Sequence, residues 1–113
     1  MTYHPETSES DVLHTQLTTA GWEWAPPDPV LRFKNANGTI EVHPRSAEDS
    51  LLVMFIGSGG GQDEVHVELD GKVADFIPVL NAEKDGLTVE TFAGFVAKVK
   101  AVCPRSVAFV DRN

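Results

Sequence analysis

The chain has a single cysteine, Cys103, so no internal disulfide can hold the fold together. It also lacks any long hydrophobic run. Its longest uninterrupted apolar stretch, Leu51-Leu52-Val53-Met54-Phe55-Ile56, falls far short of the roughly 18 residues that cross a bilayer. No cationic start leads into an apolar segment, so no secretory signal is expected, and the expected compartment is cytoplasmic. Basic residues are scarce: nine Lys and Arg stand against seventeen Asp and Glu, a net charge of −8. Phosphates repel such a chain, which argues against direct contact with nucleic acid or an anionic membrane. An acidic chain suits instead a basic protein surface, including one that otherwise holds nucleic acid. With 113 residues, the sequence is expected to fold as one domain over 8–113, behind a loose polar tail at 1–7.

The other segments read as neighbours of the run Leu51 to Ile56. Six residues is strand length, Val, Phe and Ile suit a pleated surface, and Gly57-Ser58-Gly59-Gly60-Gly61 ends the run at once as a flexible loop. Because apolar and polar residues do not alternate, both faces of this strand are expected to be covered, or one face awaits a partner. Upstream, Ser8 and Asp11 form a capping-box variant, Leu13, Leu17 and Ala20 share one helical face, and Gly21 stands where a left-handed stop is wanted. Trp22-Glu23-Trp24 predicts a short strand with both indoles inward, followed by a rigid bend at Pro26-Pro27-Asp28-Pro29. Asn37-Gly38 predicts a type I′ hairpin pairing Lys34 with Glu41, Phe33 with Val42 and Arg32 with His43.

Past Pro44, residues 45–50 read as a charged connector. After the organising strand, Glu64 to Leu69 and Lys72 to Ile77 are expected to pair across a second hairpin turn at Asp70-Gly71, with Pro78 ending the later strand. A second helix begins near Thr88, with Leu87 and Phe92 as a staple, and carries the stripe Phe92, Phe95, Val96, Val99 and Val102 up to Pro104. Ser106 to Val110 either adds a strand or packs as a tail. The expected fold is therefore an α+β two-layer sandwich. An antiparallel meander of five to six strands is flanked in sequence by an N-terminal and a C-terminal helix, both on one face.

No motif carries recognisable enzyme chemistry. The glycine loop is followed by Gln62-Asp63-Glu64 and a strand, whereas a phosphate cradle needs a helix N-terminus and, in the P-loop, a lysine. Ser58 lacks the spacing of a nucleophile elbow, Cys103 reads as a buried filler, and the carboxylate pairs Asp63/Glu64 and Glu48/Asp49 read as loop solvation. No cofactor is expected. If a metal binds, its ligands would come from His43, His66, Glu64 and Glu68, which period two places on one face. The organising strand between the two histidines would hold them roughly 9–10 Å apart, too far for one ion, so surface pairs such as His66 with Asp75 and His43 with Arg32 are the better expectation.

The feature that chemistry leaves unexplained is the outward side of the central strand. With Leu51, Val53 and Phe55 inward, Leu52, Met54 and Ile56 point out, and Val73 and Ile77 join them by the same count. Arg32, Glu41, His43 and Glu68 rim this patch, and contiguous exposed apolar patches mark interfaces. The sequence therefore predicts a small acidic interaction module of the inhibitor, immunity or chaperone kind, not an enzyme. It would present an apolar sheet face to another protein, or to itself as a homodimer. The other readings are a metal-binding hydrolase or sensor and an acidic inhibitor of a nucleic-acid-binding protein.

Overall fold

The computed structural model describes residues 9–24, 30–44 and 50–111. In chain order these form α1 (Glu9–Thr19), β1 (Glu23–Trp24), β2 (Leu31–Asn35), β3 (Gly38–Pro44), β4 (Ser50–Gly57), β5 (Gln62–Glu68), α2 (Val73–Glu83), α3 (Phe92–Val102) and β6 (Val107–Asp111). The strands make one six-stranded antiparallel meander in sequence order, β1 to β6, so the fold is α+β with the sheet packed on helices. No helix among the described residues is long and apolar enough to cross a membrane. The expected tail at 1–7, the Ser8 cap, the proline bend and the connector at 45–49 lie outside the described residues.

Register sorts the sheet into two faces. Leu31, Val42, Val53 and Val65 form one row across β2 to β5, and Ile40, Phe55 and Asp63 fall in the next inner row. These seven are all at most 1% exposed. Leu13 and Leu17 of α1, Phe76 and Leu80 of α2, and Phe92, Phe95 and Val99 of α3 close over the same side as one apolar cluster. Burying an aliphatic or aromatic side chain of this kind contributes roughly 1.5–3 kcal/mol, so this layer dominates stability. Helix α1 ends as its glycine requires. Gly21 has φ 101°, its N–H reaches Thr18 O at 3.2 Å, and Trp22 N–H reaches Leu17 O at 3.0 Å, the paired bonds of a Schellman stop. The first turn leading into α3 is closed reciprocally, with Thr91 N donating to Thr88 Oγ1 at 3.0 Å and Thr88 N to Thr91 Oγ1 at 2.8 Å.

Several expectations are corrected. Lys72 to Ile77 is not a strand. Asp70 and Gly71 do take left-handed φ values of 51° and 78°, but the chain leaves them into α2, because Val73, Phe76, Ile77 and Leu80 recur at helical spacing and bury together. Pro78 stands inside that helix rather than ending a strand. Val73 and Ile77 are consequently 8% and 5% exposed in the helical core, on the side away from the proposed patch. Of the two readings open for Ser106 to Val110, the strand is the one found: it is β6, the sixth strand, and follows α3.

The first hairpin pairs Lys34 with Thr39 and Arg32 with Glu41, two residues out of the expected register. The loop is Ala36-Asn37, and both residues keep negative φ, so it is not type I′. Asn35 sets this: its Oδ1 accepts the N–H groups of Asn37 at 2.7 Å and Gly38 at 2.9 Å. Gly38 is needed for close approach, since a Cβ there would lie 2.2 Å from Ile56 O on β4. A slip of two preserves the faces, so Leu31, Phe33, Ile40 and Val42 still share one side. Finally, Trp24 is not inward. Trp22 is buried and donates to Asn81 Oδ1 at 3.2 Å, whereas Trp24, at the sheet edge, is 43% exposed with its ring against His14, centroids 4.8 Å apart.

Candidate interface on the outer sheet face

The outer face is built from the alternate residues of the same strands. Arg32, Glu41, Met54 and Glu64 are in one register row, and His43, Leu52, His66 and Val107 are in another. Lys34, Thr39, Ile56 and Gln62 make the third. Along β4, every second position is half-buried instead of buried, and those positions are Leu52, Met54 and Ile56. Three apolar side chains thus run down the middle of the sheet with polar strands on both sides.

The flanking charges are matched within the face. Arg32 Nε donates to Glu41 Oε2 at 2.9 Å, and His43 Nε2 lies 2.9 Å from Glu41 Oε1, two positions along its own strand. Partial burial raises the Glu41 carboxyl, but the hydrogen bonds and charges of His43 and Arg32 outweigh it and hold the group below its ordinary value of 4.5. On the other side of β4, Gln62 Nε2 donates to Glu64 Oε2 at 2.8 Å. Arg105 reaches Glu68 at 3.5 Å and Asp70 at 3.1 Å. His66 Nε2 is 3.2 Å from Glu68 Oε2 without the alignment of a hydrogen bond, and that nitrogen is itself buried. A rim that already holds its side chains in pairs loses little side-chain entropy when a partner arrives.

Of the residues the sequence singles out, the structure brings Leu52, Met54, Ile56, Arg32, Glu41 and Glu68 onto this face and removes Val73 and Ile77 from it. It adds Val107, which is 50% exposed and shares a row with Leu52. His43 and His66 stand on opposite sides of Leu52, each beside a glutamate of its own strand, and the pairs with Asp75 and directly with Arg32 do not form. Among the described residues no three His, Cys, Asp or Glu groups converge on one point.

The glycine loop lies at one end of the sheet and joins β4 to β5 as a hairpin. Three of its amides are bonded within the protein: Gly57 N donates to Gly61 O at 2.7 Å, Gly60 N to Gly57 O at 2.9 Å, and Ser58 N to Asn37 O in the β2–β3 turn at 2.9 Å. Gly57 and Gly61 press against Val89, where added Cβ atoms would come within 2.8 and 3.2 Å. The open cleft beside them, about 380 Å³, is walled by Asn37, Ser58, Thr88 and Glu90, so a carboxylate stands where a phosphate would need donors. Asp63 belongs to β5, not the loop, and is fully buried on the inner face, while Glu64 faces outward. Cys103 is buried at the end of α3.

No family model, no curated protein and no solved structure matches this chain.

Proposed function

We propose that the protein is a protein–protein interaction module that works through the outer sheet face, in the manner of a small inhibitor, immunity protein or chaperone. One observation carries this reading. The helices cluster on the inner face, and Leu52, Met54 and Ile56 are left only half-buried in a line along β4 between paired charges. An apolar centre with an ordered polar rim is the common anatomy of a binding patch. The C-terminal segment, which might have folded across this face, extends the sheet as β6 instead. Met54, unbranched and polarisable at the middle of the line, adapts to a partner's contour.

The test is capture with the purified, tagged protein in lysate of the cells that make it, comparing wild type with Met54→Glu and Leu52→Glu. The reading expects a protein retained by wild type and lost by both variants, with unchanged far-UV circular dichroism. Retention that is the same for all three baits would sink it, as would unfolding of Met54→Glu, which would make Met54 core. The metal-centre reading finds no support in the geometry, because β4 separates the two histidines.

A further inference from the structure

The two edges of the sheet are not alike, and the difference points to a second contact. Edge strands expose a row of unpaired backbone donors and acceptors, and proteins guard them with short length, proline, inward charge or a cover. At one edge, β1 is only two residues long, carries Glu23, and is followed in sequence by Pro26, Pro27 and Pro29. At the other edge, β6 runs for five residues, Val107-Ala108-Phe109-Val110-Asp111, with no proline and no charge before its last position. Its inner side pairs with β5 over all five residues, and among the described residues no strand pairs with its outer side. Val107 at its start is half exposed.

We infer that β6 pairs antiparallel with β6 of a second copy, joining two six-stranded sheets edge to edge. The occupant must be an extended strand, because only a strand meets a row of backbone N–H and C=O groups at the sheet spacing. A second copy meets the requirement by symmetry. A two-fold axis at Phe109 sets Ala108 opposite Val110 and Val107 opposite Asp111, keeps the two Asp111 residues apart, and brings apolar residues together at the centre. The contact is short, so the dimer is weak and concentration-dependent. It would also make the two outer faces continuous.

The experiment is sedimentation velocity from about 10 to about 500 µM, with hydrogen–deuterium exchange at both ends of that range. The expected result is a mass rising from 12.3 kDa toward its double, with concentration-dependent protection confined to Val107–Asp111. Val107→Asp, which sets a second carboxylate opposite Asp111 of the other copy, should weaken self-association by about tenfold or more, while Met54→Glu leaves it intact. A monomer throughout the range overturns the inference. So does a dimer whose protection maps to β4 and vanishes in Met54→Glu, an outcome that would favour the outer face as the self-contact. The capture experiment does not depend on β6, so the edge contact and the face reading fail separately.

Discussion

The two faces of β4 are drawn from one unbroken apolar run and end in opposite environments. Leu51, Val53 and Phe55 are at most 2% exposed, while Leu52, Met54 and Ile56 are half-buried. Neither side is distinguished by residue type. What separates them is where the helices lie, and that is decided elsewhere, by the stripes of α1, α2 and α3. The comparison teaches that a strand with two apolar faces need not bury both alike: helices close one, and the other stays half-buried. Stability should therefore be concentrated on the inner face and binding on the outer.

Substitutions separate these roles. The largest loss is expected from Phe55→Ala, a fully buried ring at the centre of the inner face, at about 3–5 kcal/mol by denaturant titration. Gly38→Ala comes next. Its Cβ would meet the backbone of β4 at 2.2 Å, so the β3–β4 ladder must part, at about 3 kcal/mol. Asn35→Ala should cost about 2 kcal/mol, because Asn35 closes its own turn and its Nδ2 also donates to Lys84 O at 2.9 Å and Leu87 O at 3.1 Å. A loss below about 0.5 kcal/mol would show that water replaces these bonds.

On the outer face, Met54→Glu sets its carboxylate between Glu41 and Glu64 and should cost less than about 2 kcal/mol of stability while abolishing partner capture. If it costs as much as Phe55→Ala, the two faces are equivalent and the comparison collapses. The smallest effect belongs to Glu41. Its carboxyl is held low in the folded chain, so the ionised form favours folding. That contribution is complete above the unfolded value near 4.5 and disappears as pH falls through the lower folded value. Glu41→Gln should flatten this part of the stability–pH curve, and an unaltered slope would show that the Arg32–Glu41–His43 cluster adds nothing to folding.

Much of the fold was legible because local rules agreed with the tertiary outcome. The stripe of α3, the glycine stop of α1, the length of β4 and the face parity of β2 and β3 all follow from spacing alone. Elsewhere a local signal competed with a longer one. Asp70-Gly71 takes the backbone of a hairpin turn, and Pro78 reads as a strand end, yet the spacing of Val73, Phe76, Ile77 and Leu80 prevails. That period was visible in the sequence and extends past the proline. The register of the first hairpin was not, because Asn35 selects it through bonds to its own turn while anchoring to the loop between α2 and α3. The outward placement was legible at Leu52, Met54 and Ile56, whose parity is fixed within one strand. It was misread at Val73 and Ile77, where the element type was wrong, and incomplete at Val107, whose place depends on a pairing that local sequence does not encode.

That last pairing orders the assembly of the molecule in time. Strands β1 to β5 join only sequential neighbours, so this part of the sheet can form as the chain emerges. β6 cannot, because it returns to β5 only after α2 and α3, and the bond from Glu68 N to Ser106 Oγ bridges 38 residues. Until that loop closes, β5 itself is the sheet's growing edge, and Glu64 and Glu68 on its outer face supply charges that discourage a wrong partner. Closure of β6 is therefore expected to come late in folding, and its release to be the first opening seen in native-state exchange.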